Sequence, residues 1–188
     1  MALAYKLLRV RKDRPGQLFP LYVFPDMALP IGCWLPAKEG ERTMDGGVRS
    51  RLGRLAFRPG WHLTDECPLA PHIGVMEDGR IKYMHPDEVW CECEYNDNIN
   101  YQDTADKMGW KNGRFDKRRA CLEVIPYGGC YRYRTNPKMM GTWIIAGEMK
   151  IIRVLGDDEV SQICRAKGHE PMPRKGPFDW KAYGFPGM

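Results

Sequence analysis

The sequence predicts an α+β domain that is compact and rich in strands, with a mostly antiparallel twisted sheet and few short helices. Its 15 Pro and 20 Gly favour frequent turns and disfavour a helical bundle. The clearest strand is residues 89–95, where Val, Cys, Cys and Tyr alternate strictly with Trp, Glu and Glu. Two apolar runs at 143–145 and 149–155, separated by Gly147, predict central strands.

The first third of the chain predicts a hairpin, a short strand and a bend. Apolar runs at residues 3–11 and 18–24 lie on either side of an Asp-Arg-Pro-Gly turn signal. A short strand is expected at 31–36, followed by a polar loop at 38–47. Residues 55–63 predict two extended pieces on either side of a Pro-Gly corner.

The middle of the chain predicts an excursion from the sheet and a second hairpin. Residues 96–119 are polar, and 103–108 are expected to form a short helix. The runs at 121–125 and 131–134 flank Pro and Gly residues, which predicts that they pair as a hairpin.

A helix and a tail complete the chain. Asp157 is expected to be the N-cap of a helix that ends at Gly168, because apolar residues between them recur at helical spacing. We expect residues 1–170 to form a single domain. The tail, residues 171–188, is rich in Pro, Gly and aromatics, so it either wraps the domain or stays loose. The aromatic residues that would wrap it are Phe178, Trp180, Tyr183 and Phe185.

Composition excludes several classes of protein. No uncharged apolar stretch approaches the roughly 18–20 residues needed to cross a bilayer, and Lys6 interrupts the N-terminus before a secretory segment. We therefore expect a cytoplasmic protein with no membrane partner. Seven Cys without a CxxC pair predict reduced thiols, not a disulfide framework or a zinc ribbon. The glycine-rich motifs of P-loop and dinucleotide-binding proteins are absent.

Positive charge is concentrated in the first third. Residues 1–60 hold eleven Lys or Arg against five Asp or Glu, in a chain whose net charge is +5. Four arginines in one short run predict contacts with the phosphates of a nucleotide or nucleic acid, the alternative being a solvated loop. They are Arg49, Arg51, Arg54 and Arg58. We expect Tyr131 and Tyr133 to be exposed and to stack on bases.

Candidate chemistry lies at an aromatic-imidazole bend and at a late acidic corner. Trp61 could stack on a planar ligand and His62 could donate to a phosphate or ribose, the alternative being a satisfied structural imidazole. Glu148, near a strand end, could stabilise cationic charge that develops on a sugar, although most such glutamates face water. No metal site is expected, since zinc would require three or four residues of a scattered set to converge. That set is His62, Cys67, His72, His85, Cys91, Cys93 and Cys130.

Several motifs resemble those of an uncharacterised family of small proteins from phages and mobile elements. They are residues 56–62 (Ala-Phe-Arg-Pro-Gly-Trp-His), 70–72 (Ala-Pro-His), 89–94 (Val-Trp-Cys-Glu-Cys-Glu), 141–143 (Gly-Thr-Trp) and 149–155 (Met-Lys-Ile-Ile-Arg-Val-Leu). The resemblance implies an accessory protein of a phage or mobile element and carries no activity with it.

More distantly, the order of elements is similar to that of small ADP-ribosyltransferase-like domains. The similarity rests on a basic residue in the first strand, a Gly-aromatic strand at 60–64 and a late Gly-acid corner. The resemblance implies cleavage of the nicotinamide glycosidic bond of NAD, or binding of another nucleotide-bearing ligand. The basic residue would be Lys6 or Arg9, and Arg9 would hold the pyrophosphate.

The same resemblance implies the remaining roles. Trp61 or His62 would frame the nicotinamide riboside, and Thr64 and His72 would belong to the same cofactor site. Glu148, with His62 as a second catalytic candidate, would steady an oxocarbenium-like transition state.

The alternative function is a non-enzymatic protein that inhibits a host defence nuclease, as anti-CRISPR proteins do. Its partner would be a host protein or nucleic acid. Convergence of His62, His72 and Glu148 with Arg9 on one cleft favours the enzyme or ligand-binding hypothesis, whereas scattered positions favour the binding protein.

Overall fold

The computed structural model describes residues 1–69, 80–81 (backbone only), 86–134, 142–171, 174 and 176–188. The described residues are rich in strands, with 37% strand against 13% helix, so the predicted fold class holds in its coarse form. The described strands are β1 (Ala2–Val10), β2 (Leu18–Phe19), β3 (Trp34–Pro36), β4 (Gly47–Ser50), β5 (Gly53–Ala56), β6 (Trp61–Leu63), β7 (Arg80–Ile81), β8 (Glu88–Tyr95), β9 (Ile99–Asn100), β10 (Trp110–Lys111), β11 (Arg114–Phe115), β12 (Gly129–Tyr133), β13 (Trp143–Ala146), β14 (Glu148–Val154) and β15 (Glu170–Pro171). The helices are α1 (Gln102–Gly109) and α2 (Asp157–Ala166), with a 3₁₀ turn at Lys117–Arg119.

Two larger sheets form the body of the described part of the protein. One has five antiparallel strands in the order β2-β1-β8-β14-β3. The other has the order β6-β13-β12-β9, in which the pairing of β9 with β12 is parallel and the rest antiparallel. Three two-stranded pairs accompany them, β4 with β5, β10 with β11 and β7 with β15. The antiparallel prediction is therefore confirmed, but the strands are divided between sheets.

Gly147 explains the division, because the chain passes there from the four-stranded to the five-stranded sheet. Its N–H donates to the carbonyl of Gly129 at 3.0 Å, and its own carbonyl accepts from Ala37 N at 2.8 Å. A Cβ at this position would lie 2.2 Å from the carbonyl oxygen of Pro126. Only glycine therefore fits where the two sheets meet.

The main core lies between the two sheets. The strict alternation predicted for residues 89–95 is confirmed, since one face of β8 is buried in this core and carries Val89, Cys91, Cys93 and Tyr95. The four-stranded sheet contributes Trp61, Leu63, Ile144 and Ala146 from its side. Burial raises the pKa of the Cys93 thiol to about 12, so this pair of cysteines packs as small core residues.

The two helices cover the outer faces of the sheets. Helix α2 packs Val160 and Cys164 against Trp90 on the five-stranded sheet. Helix α1 packs Ala105 against Tyr131 and Tyr133 on the four-stranded sheet. Both helices were predicted, and neither these nor any other helix of the described residues is long and apolar enough to cross a bilayer.

Two local predictions are wrong. Residues 121–125 form no strand, because the amide of Leu122 donates to the Tyr131 hydroxyl at 3.2 Å and no ladder forms. Asp157 is not the N-cap of α2, a position taken by Gly156. The Asp157 carboxylate instead accepts from Arg174 Nε at 2.7 Å.

The C-terminal tail wraps the domain, which decides between the two alternatives for residues 176–188. Four of its aromatic rings pack against the main core, Phe178, Trp180, Tyr183 and Phe185. The carbonyl of Tyr183 accepts from Gly16 N at 2.7 Å, which fixes the tail to the turn between β1 and β2. Ring stacking between Phe178 and Tyr183, with centroids 4.8 Å apart, makes the wrapped tail compact.

Candidate nucleic-acid interface

The residues of the expected NAD site lie on different faces of the sheets. Arg9 belongs to the outer face of β1 and is buried there, with its Nε 2.9 Å from Asp87 Oδ2. Trp61 lies on the inner side, in the core between the sheets, and its Nε1 donates to Leu35 O at 2.8 Å. The Trp61 ring is therefore occupied with core packing and is not placed to frame a nicotinamide riboside.

His62 points away from Trp61, because neighbouring side chains of a strand alternate between faces. It is half-buried, its Nδ1 lies 3.2 Å from Gly60 O, and its ring meets the edge of Trp143 at 5.7 Å. These contacts match those of a structural imidazole.

Thr64 and Glu148 have structural partners of their own. Thr64 is buried, pairs through its backbone with Tyr5, and its hydroxyl lies 3.4 Å from Cys67 O. Glu148 begins β14 and accepts from Asn96 Nδ2 at 2.6 Å. His72 lies outside the described residues. The described members of the expected site therefore do not converge on one cleft.

Most of the arginine run lies on the β4–β5 hairpin and is exposed there. Arg54 Nε forms an ion pair with Asp45 at 2.7 Å, and Arg49 pairs with Glu41 at 3.5 Å. Arg51 lies in the turn that joins the two strands. Two of these three cations thus have an acidic neighbour that reduces the local positive charge.

Arg58 is separate from the other three arginines. It is half-buried, and its guanidinium lies over the ring of Tyr133 at 4.5 Å from the centroid. Burial raises the pKa of Tyr133, and the guanidinium of Arg58 acts in the opposite direction. Tyr131 and Tyr133 are each only 1% exposed, so the prediction that their rings are free to stack on bases is wrong.

A different segment presents several cations together with exposed rings. Residues 107–119, which we call the basic hairpin, contain six Lys or Arg and one Asp. Every residue from 110 to 119 is exposed. Strands β10 and β11 are joined by Asn112 and Gly113 with φ of 51° and 72°, the positive values of a two-residue type I′ turn.

The basic hairpin is held against the body by helix α1. The Gln102 side chain fixes the start of α1 to β12, because its Oε1 accepts from Arg132 N at 2.8 Å and its Nε2 donates to Arg132 O at 3.3 Å. At the other end, the Gly109 carbonyl accepts from Asp116 N at 2.8 Å. The hairpin therefore projects from a fixed base.

The register of the hairpin separates its rings from its cations. Trp110 is paired with Phe115, and Lys111 with Arg114. Because paired residues share a face and neighbours alternate, the two rings lie on one face and the two cations on the other. Trp110 is 60% and Phe115 41% exposed, with ring centroids 5.5 Å apart.

The cations of the basic hairpin have no acidic partner among the described residues. Within the part of the chain that the structure describes, none of its six Lys or Arg side chains forms an ion pair. Its only acid, Asp116, accepts from the backbone N of Arg118 at 2.9 Å and so caps the 3₁₀ turn. The Tyr133 hydroxyl donates to Arg118 O at 3.3 Å, which brings Arg58 beside this turn.

Sequence reasoning predicts a short helix in this region and misses the hairpin that follows it. The signal was present, since Asn-Gly between Trp-Lys and Arg-Phe is a strong mark of a two-residue hairpin turn. Of the four arginines singled out from the sequence, only Arg58 joins the new surface.

Among the described residues, no three His, Cys, Asp or Glu side chains are grouped so that they could hold a metal ion. Compared with models of protein families, with curated proteins and with solved structures, the chain matches none.

Proposed function

We propose that the chain binds nucleic acid through the basic hairpin, with Arg58 beside it. The observation that carries this proposal is ten consecutive exposed residues with two aromatic rings and five cations, none of them ion-paired to a described residue. Cations of this kind bind phosphates and release condensed counterions, while exposed rings stack on bases.

The pairing of Lys111 with Arg114 supports a polyanionic partner. Like charges directly opposite each other in a hairpin repel and destabilise it. Phosphate groups placed near both side chains would relieve this repulsion, and a nucleic acid supplies them at regular intervals. The paired rings on the other face can stack on bases. An acidic protein surface would not use such contacts, so the rings favour nucleic acid as the partner.

Two narrower expectations remain predictions. One is that the protein belongs to a phage or mobile element and inhibits a host defence nuclease, for which nucleic-acid binding supplies a means of competition. The other is an ADP-ribosyltransferase-like activity on NAD, for which the separated positions of Arg9, Trp61 and Glu148 offer no support.

The test replaces three cations of the basic hairpin together, in the variant Lys111→Gln/Arg114→Gln/Lys117→Gln. Fluorescence anisotropy with a labelled oligonucleotide of about 20 nucleotides measures the affinity. Because each lost phosphate contact lowers log K by about 0.7 at about 0.1 M salt, three contacts should cost about 100-fold.

The matched control is Arg49→Gln/Arg51→Gln/Arg54→Gln, which removes the same charge from the β4–β5 hairpin. We expect its affinity to stay within about threefold of the wild type, because two of these arginines are already paired with acids. Equal losses in both variants would show a general charge effect and would reject a specific interface at the basic hairpin.

A further inference from the structure

On the aromatic face of the basic hairpin, the Phe115 ring is packed and the Trp110 ring is largely exposed. Phe115 is pressed against Gly109, where a Cβ would lie 2.5 Å from the Phe115 Cε2 atom. Trp110 lies opposite Phe115 with the ring planes inclined at 55°. The inclined Phe115 ring therefore leaves most of the indole uncovered, in agreement with its 60% exposure.

The uncovered indole is an apolar surface of a kind that stacks on a nucleic-acid base. In a duplex the base faces are already stacked on each other, so a side chain reaches them only by intercalating and partly unstacking the bases. In a single strand the faces are free, and stacking on an aromatic side chain is the usual source of affinity. The position of Trp110 is therefore suited to an unpaired base.

We infer that the ligand of the basic hairpin is a single-stranded nucleic acid, with an unpaired base on Trp110 and phosphates near Lys111 and Arg114. This inference rests on the proposed function and names its substrate class. Electrostatics alone would favour a duplex, which carries one charge per about 1.7 Å of its axis. Tighter binding of a single strand than of a duplex would therefore indicate that bases stack on Trp110.

Trp34 provides a matched control for Trp110. It is also exposed, at 38%, and lies at the edge of the five-stranded sheet. The cation beside it, Lys150, lies 5.3 Å from its ring centroid and is paired with Glu94 at 2.5 Å. Trp34 therefore has an exposed indole without the free cations of the basic hairpin.

The experiment compares one labelled strand of about 20 nucleotides, free or annealed to its complement, at one salt concentration. We expect the wild type to bind the single strand about tenfold more tightly than the duplex. Trp110→Ala should lower single-strand affinity about tenfold and duplex affinity less than about twofold, whereas Trp34→Ala should change neither. Far-UV circular dichroism verifies that both variants fold.

The variant Lys111→Gln/Arg114→Gln/Lys117→Gln, measured on both ligands, separates two kinds of failure. Suppose that the triple variant loses affinity, but the wild type binds the duplex as tightly as the single strand, or Trp110→Ala does not change single-strand affinity. The single-strand inference is then overturned, and the proposed function stands. If the triple variant binds as tightly as the wild type, or the wild type binds neither ligand, the proposed function is overturned and the inference with it.

Discussion

Residues 49–64 and the basic hairpin both combine cations with a tryptophan, yet they form opposite kinds of surface. In the first segment Arg49 and Arg54 are paired with acids, and Trp61 is only 8% exposed. In the second the cations have no ion-pair partners among the described residues, and Trp110 is 60% exposed. Both segments combine cations with aromatic residues in the sequence, and only the surrounding packing distinguishes a core element from an interface.

The difference follows from strand pairing. Strand β6 is joined to β13 in the four-stranded sheet, so the side chain of Trp61 enters the core between the sheets. Among the described strands, β10 and β11 pair only with each other, and they have two residues each. On this short ribbon Phe115 is covered in part by Gly109, and Trp110 stays 60% exposed.

The largest expected effect concerns the stability contributed by the two tryptophans. Trp61→Ala should lower the free energy of unfolding by about 3–5 kcal/mol, because it leaves a cavity in the core. Trp110→Ala should change it by less than about 1 kcal/mol, since its ring is exposed. Urea denaturation followed by far-UV circular dichroism measures both, and comparable losses would contradict the contrast between core and surface.

Arg58 connects the two regions, so its replacement should have a moderate effect on both properties. Arg58→Gln removes the cation over Tyr133 and should cost about 0.5–1 kcal/mol of stability. Loss of one phosphate contact should also weaken nucleic-acid binding about fivefold at about 0.1 M salt. Arg51→Gln serves as the control, and equal affinities for the two variants would exclude Arg58 from the interface.

The last expected effect is a pH dependence at Lys6, the cation that contacts Trp61. Lys6 Nζ donates to His62 O at 2.8 Å and lies 5.6 Å from the Trp61 ring centroid. Burial lowers the pKa of Lys6 from 10.5 to about 8. Between these values the unfolded chain holds more protons than the folded one, so this group adds stability as pH rises.

Lys6→Met removes this titration. The stability of Lys6→Met relative to the wild type should be highest below pH 8 and should decline as pH rises towards 10.5. Thermal unfolding of both proteins across this range measures the difference, in which the titration of tyrosines cancels. A difference that does not vary with pH would show that the Lys6 amine is well solvated.

Local patterns predicted much of the fold. The alternation in β8 and the two helices depend on neighbouring residues and could be inferred from them. The sequence leaves open whether the tail aromatics pack on the domain, because this depends on the tertiary fold. The pairing of β12 with β9 could not be inferred, because α1 and the basic hairpin separate these strands in the sequence and they pair in parallel. Residues 121–125 have the composition of a strand but no partner in that ladder, which a local pattern does not reveal.

The candidate site was harder to predict than the fold. Tyr131 and Tyr133 alternate with Arg132, which indicates that they share a face, but only the packing of α1 decides that this face is buried. The Asn-Gly turn of the basic hairpin is a local signal, whereas the 60% exposure of Trp110 depends on how the rest of the described chain packs. Acidic neighbours likewise decide which arginines are free, and their positions depend on the tertiary fold.

The central claim is that the basic hairpin contacts phosphates directly, and the salt dependence of binding tests it most directly. Affinities of the wild type and of Lys111→Gln/Arg114→Gln/Lys117→Gln for the single strand are measured from about 0.05 to 0.3 M salt. Three lost contacts should make the slope of log K against log salt shallower by about 2. Identical slopes for the two proteins would contradict the claim.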